Sequence, residues 1–297
     1  GGRPAAMEPA KKVEEEAFAW AVPLGASCLA AVWLRQRGLR KCALPFDWLF
    51  SSPAIVGDCL ADDFRELLDP REYVAFGKRG AGCGHRRYSD MRLPGRWKGF
   101  VFLHHDPSRK RQDQDYLQRC VQRFRTIARS PKRKLFLLCT NRTAAASAAD
   151  AVAGASEETP EIRSSCALGS GASWEHASMA AVEGLFEALQ AYGARNFHLA
   201  VVALNAGPME APVLRATRSA TSETGLESLE VHELQCACGQ EADADPFAFF
   251  GSRQNEEAFS VAVLGAGPCA RRFQLEDLDG HAPQGYREAV PAAAPPG

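Results

Sequence analysis

The residues of this chain best suited to covalent chemistry are Cys28, where the turn Leu24-Gly25-Ala26-Ser27 runs into an apolar helical pattern, and the pair His104-His105 far downstream. A helix start carries unpaired backbone N–H groups and the positive end of the macrodipole, so a thiol there suits a thiolate beside oxyanion donors. The donors would be the Cys28 amide with a neighbouring N–H or the Ser27 hydroxyl. A cysteine nucleophile also needs a base, and a third group to orient that base. In an extended segment His104 and His105 point to opposite faces, so only one of them can meet Cys28. The acceptors on hand to orient it are Asp47, Asn141 and Asp106. The competing reading is structural: a small buried thiol at a tight turn, a histidine bonded to backbone at a strand end, and an Asp47 carboxylate that fixes its own loop.

The elements that must position these groups follow from periodicity. Residues 19–24 form a short apolar run suited to a buried strand, and Leu29, Val32 and Trp33 recur at helical spacing after Cys28, with Gly38 as the residue that ends the helix. Residues 45–52, Pro-Phe-Asp-Trp-Leu-Phe-Ser-Ser, fit neither period and predict a packed loop. Ser52 then caps a helix over 54–68, with Pro53 at its first position and Ile55, Cys59 and Leu60 inward. The glycine-rich stretch 76–97 predicts a loop over the site. A strand is expected at 100–103, so the two histidines sit at a strand end. The clearest helix spans 108–130, with Leu117, Cys120, Val121, Phe124, Ile127 and Ala128 on one stripe. Strands are expected at 135–139, 197–204, 226–234 and 259–264, with a helix at 174–192. Asn141 lies just past the strand at 135–139. Alternating strands and helices imply an α/β fold: a central mixed, partly parallel sheet flanked by helices. The expected organisation is a disordered leader at 1–17, one α/β domain at 18–279 with an insertion at 143–173, and a disordered tail at 280–297.

The Leu-Gly-x-x-Cys turn, the helix ending near Gly38-Leu39-Arg40, the Pro45-Phe46-Asp47-Trp48 block and the His105-Asp106 pair together resemble a bacterial and algal family described as papain-like cysteine peptidases. The chain departs from that pattern at Pro23 and at Pro107. The resemblance selects His105 as the base, with His104 in reserve. Chain order in papain-like enzymes (Cys, His, then Asn or Asp) favours Asn141 as the orienting acceptor, whereas the more specific motif favours Asp47. It implies a cysteine-dependent, peptidase-like hydrolase acting on a peptide or other acyl substrate. The Cys28 thiolate would attack the carbonyl, an acyl-enzyme would form, and water or another acceptor would take the acyl group with His105 as acid and base. The alternatives are an acyltransferase on the same site and a non-catalytic α/β binding module.

Composition limits the partners. Lys plus Arg number 35 against 36 Asp plus Glu, a formal charge of −1, so no global field favours nucleic acid or an anionic membrane. Ten cysteines without a secretory h-region, and no apolar run long enough to span a bilayer, imply reduced thiols and a soluble, cytoplasmic protein. No cofactor or metal site is expected. Cys236-Ala237-Cys238 with His232 lacks a second ligand pair at zinc-finger spacing, and Gly265-Ala266-Gly267 lacks the third glycine of a dinucleotide fingerprint. Trp174-Glu175-His176 reads as helix capping and packing.

Overall fold

The computed structural model describes residues 17–25, 28–75, 82–89, 100–102, 104–141, 179–237, 252–265 and 271–275. Residues 1–16 of the leader, the tail, the expected insertion at 143–173, Ser27, Cys238 and Trp174-Glu175-His176 lie outside them.

Apolar runs too short for helices make the sheet. β1 (Trp20–Pro23) pairs in parallel with β5 (Lys134–Asn141), which pairs in parallel with β6 (Phe197–Thr221), and β7 (Ser228–Ala237) follows in the order β1-β5-β6-β7. The first half of β6 runs parallel to β7, with His198 opposite Ser228 and Leu204 opposite Leu234. The second half returns antiparallel along the other edge of the same strand, with Thr221 opposite Ser228 and Val213 opposite Gln235. The sheet is therefore mixed, as expected. The returning strand had no counterpart among the expected elements.

Side-chain alternation divides the core between the two faces of this sheet. Ala21, Leu135, Leu137, Cys139, Ala200, Val202 and Leu234 face one cluster, with α1 (Leu29–Gln36) and α6 (Arg253–Leu264) laid over it. Val22, Phe136, Leu138, Leu199, Val201 and Val231 face the other, under α2 (Pro53–Ala61), α4 (Arg111–Arg129) and α5 (Met179–Ala191). A second sheet, β2-β3-β4, comprises β2 (Tyr73–Ala75), β3 (Cys83–His85) and β4 (Phe100–Phe102), all antiparallel, with the single helical turn α3 (Arg86–Ser89) after β3. Part of the stretch read as a loop is thus strand and helix, since Cys83 and Gly84 pair with β4.

Local signals placed several ends correctly. Gly38 follows α1 at φ +69°, and the Leu39 N–H reaches back to the Leu34 carbonyl at 2.8 Å. The Ser52 hydroxyl accepts from the Ile55 N–H at 3.2 Å. The buried stripe of α4 is the expected one, extended toward the N-terminus by Asp113 and Tyr116.

Two further expectations are corrected. The segment 259–264 is helix, the end of α6. Ser252 accepts from the Asn255 N–H, and Phe259, Ala262 and Val263 form one buried stripe, with Phe259 edge-on to Trp33 at 5.0 Å. The helix expected to reach residue 68 stops at Ala61, because Asp63 (φ +54°) and Phe64 (φ +64°) turn the chain left-handed. That unfavourable backbone is held from a distance. Arg125 Nε donates to Asp63 Oδ1 at 3.0 Å and its Nη2 to the Asp63 carbonyl at 2.6 Å, and the Tyr192 hydroxyl donates to the same carboxylate at 2.5 Å.

Candidate active site

Cys28 follows β1 at the C-terminal edge of the parallel sheet, where open α/β sheets commonly bind ligands. It is the N-cap of α1, and its carbonyl accepts from the Val32 N–H at 2.9 Å. The thiol side chain makes no capping bond and is half-buried. Asn141 ends β5 at the same edge: Pro23 pairs with Leu137, four residues before it. Five of the other described thiols are raised by burial. Burial pushes Cys59 and Cys120 up to about 12 and Cys42 up to about 11, and it raises Cys83 and Cys139 as well.

The turn before Cys28 is moulded on the Pro-Phe-Asp-Trp block. The Ser51 hydroxyl donates to the Leu24 carbonyl at 3.0 Å. Gly25 lies at φ +92°, and a Cβ there would stand 2.0 Å from Ser51 Oγ, so only glycine fits this close approach. The other end of the block joins β4: the Phe50 N–H donates to the Val101 carbonyl at 2.9 Å, and Leu49 bridges Phe102. The two histidines are the second and third residues after β4.

Asp47 holds the block together. Fully buried, it accepts from the Leu44 N–H at 2.9 Å and from Arg40, at 2.8 Å from Nε and 2.5 Å from Nη2. Arg40 is itself almost sealed, and its guanidinium lies 5.7 Å from the Trp48 ring. A carboxylate among Phe46, Leu44 and Leu49 is tolerated because these donors replace its water. These bonds give Asp47 the loop-fixing part weighed for it.

His104 lies edge-on to Trp48 at 5.2 Å between ring centres, and desolvation of its ring, with His105 next to it, lowers its pKa. His105 turns the other way, onto α4. Its Nδ1 lies 3.5 Å from Asp113 Oδ1, and its ring stacks on Tyr116 at 4.5 Å between centres and 24° between planes. The second oxygen of Asp113 accepts from the Asp106 N–H at 2.7 Å. Asp106, also considered as an orienter, instead accepts from Ser108 and faces Arg109 at 3.7 Å. Among the described residues, the ring partners of His104 and His105 are therefore Trp48, Asp113 and Tyr116, and Cys28 is not one of them. A cavity of about 10 Å³ beside His105, lined chiefly by Leu44, Pro45, Trp48, Phe102 and Leu117, has room for roughly one water.

Asp113, which the sequence analysis did not single out, is the acid that the structure brings to His105. A signal for it existed: it precedes Tyr116 and Leu117 by three and four residues on the apolar stripe of α4. A carboxylate on a buried helical face calls for a partner.

A second histidine cluster lies at the opposite, N-terminal edge of the sheet. His198 Nδ1 is 2.8 Å from Ser228 Oγ, and its Nε2 is 2.9 Å from Arg271 Nη2, which also pairs with Glu230. Because arginine only donates, Nε2 accepts and Nδ1 carries the proton, donating it to Ser228. A histidine so fixed cannot take a proton from that serine, which makes this Ser-His-Glu arrangement structural. His232 contacts Glu230 at 3.3 Å, and among the described residues no group of three such side chains could hold a metal ion. Nor is any described helix long and apolar enough to cross a membrane. Comparison with known proteins finds no matching family model, no matching curated protein and no matching solved structure.

Proposed function

We propose that the chain is a cysteine-dependent hydrolase acting on a peptide or other acyl substrate, with Cys28 as nucleophile, His105 as acid and base, and Asp113 as the acceptor that orients His105. The observation that carries this reading is the part played by residues 44–51, which touch the turn before Cys28 through Ser51 and the strand before His105 through Leu49 and Phe50. One rigid block thus references both halves of the chemistry. With Nδ1–H directed at a carboxylate, the neutral ring of His105 keeps Nε2 as its basic nitrogen, the form a general base requires. In the reaction His105 Nε2 takes the proton of the Cys28 thiol, the sulfur bonds to the substrate carbonyl carbon, and His105 passes that proton to the amine or alkoxide as its bond to the carbonyl carbon breaks. His105 then takes a proton from water as the water displaces sulfur from the acyl-enzyme. The Cys28 amide, at the start of α1, supplies one oxyanion donor. An acyltransferase would differ only in the acceptor of the second step.

The rival reading, a non-catalytic α/β binding module, is favoured by one observation: His105 is stacked on Tyr116 and not against the thiol. Labelling with iodoacetamide near neutral pH, resolved by mass spectrometry, separates the two. Cys28 should react ahead of the other nine thiols, and His105→Ala and Asp113→Asn should each slow that reaction. Labelling that follows exposure alone and ignores both substitutions would leave the binding module.

A further inference from the structure

We infer that Tyr116 is a positioning residue for His105, setting the plane of its ring while Asp113 sets its rotation. This inference rests on the hydrolase reading for its catalytic meaning, but not for its geometry.

Two contacts are needed to fix an imidazole, because a single bond to Nδ1 leaves the ring free to tilt about the line of that bond. Asp113 and Tyr116 lie three residues apart on α4, so one helical turn presents a carboxylate to the edge of the ring and an aromatic face to its plane. The carboxylate is anchored in turn by the Asp106 N–H, directly after His105 in the chain. The loop is therefore bound to α4 at two consecutive residues. Tyr116 is 9% exposed and belongs to the stripe that seats α4 on the core, so its ring is a fixed surface rather than a mobile cover.

The stacking contact with His105 is made by the ring of Tyr116, and its hydroxyl brings no charge to it. Burial, followed by Cys120 and the Asp47 carboxylate, pushes its pKa far above the usual phenol range, so it stays neutral across any working pH. The face of the ring is what His105 uses, so phenylalanine should serve as well as tyrosine. An aliphatic side chain of similar bulk should not.

The test compares Tyr116→Phe with Tyr116→Leu, and with Tyr116→Met should the leucine variant fail to fold. Two readouts are taken: the pH profile of Cys28 alkylation, and the nitrogen and carbon NMR signals of the His105 ring, which report its tautomer and titration without reference to Cys28. Tyr116→Phe should match the parent in both. In Tyr116→Leu the single Nδ1–H tautomer should give way to a mixture, and alkylation at neutral pH should slow by about 10- to 100-fold, the scale expected when a reacting group is misplaced by about an ångström. If His105 keeps its tautomer and titration in the aliphatic variant that folds, Tyr116 does not position it and the inference falls. If the NMR signals change as expected but alkylation of the parent never depended on His105, the positioning stands and the hydrolase reading is the part that fails.

Discussion

Replacing Asp47 by asparagine tests the scaffold on which both halves of the site rest. The carboxylate is fully buried, and Arg40, its partner, is 5% exposed, so neither charge can recover water when the other is lost. Asparagine keeps the shape and the acceptor for the Leu44 N–H but leaves the guanidinium uncompensated. Breaking a buried pair from one side costs about 3–5 kcal/mol, a large share of the roughly 5–15 kcal/mol that holds a typical domain folded. With a urea m-value near about 3 kcal/mol/M for a chain of this size, the midpoint should fall by roughly 1–2 M. Arg40→Met should cost a comparable amount, and the double substitution much less than the sum, because it removes the stranded charge along with its cause. Urea unfolding followed by tryptophan fluorescence measures all four proteins. A loss under about 1 kcal/mol for Asp47→Asn, or strict additivity with Arg40→Met, would refute the account of a mutually dependent buried pair. Cys28 alkylation supplies the second arm. At temperatures where Asp47→Asn is still folded its pH profile should match the parent, since His105 looks to Asp113.

Gly25→Ala should destabilise the fold by about 1–3 kcal/mol, the usual cost of forcing a side chain into a left-handed backbone, and should slow Cys28 labelling, because the new Cβ displaces Ser51 from the Leu24 carbonyl. Thermal unfolding with parallel labelling checks it, and a variant as stable and reactive as the parent would dismiss the close approach. Acid should also weaken the fold through the His198 cluster. Burial, followed by Arg271, holds His198 down to about 3, so the unfolded chain takes up this proton near 6.5 while the fold refuses it. Stability is lost as pH falls between those values, at up to about 1.4 kcal/mol per pH unit for one proton. Glu230, held down to about 2 by its bond from His232 and by Arg271, adds loss of the same sign below its ordinary range near 4.5. His198→Gln should flatten the decline between pH 6 and 4, and an unchanged slope in urea titrations across that range would exclude this origin.

The elements that lead into the site were legible because their signals are local. A cap hydroxyl, a proline at the first helical position, a glycine past the last turn and a 3.6-residue apolar period each act within a few residues, and so α1, the start of α2 and the stripe of α4 lie where the pattern puts them. Short runs were ambiguous. Residues 259–264 carry six positions that suit a strand as well as a helix end, and the cap at Ser252 and the packing of Phe259 on Trp33 select the helix. The returning half of β6 is largely exposed and shows no alternation, so only its ladder with β7 marks it. The early end of α2 depends on Arg125 and Tyr192, which meet Asp63 only after the chain has folded back. The site divides in the same way. Amino-acid order supplied a thiol at a helix start, a histidine pair after a strand and a compact aromatic block, since each is defined by its immediate neighbours. Which partner each acid meets was decided in three dimensions, where burial favours paired charges: Asp47 lies against Arg40, and Asp113, seated on the apolar stripe of α4, lies against His105.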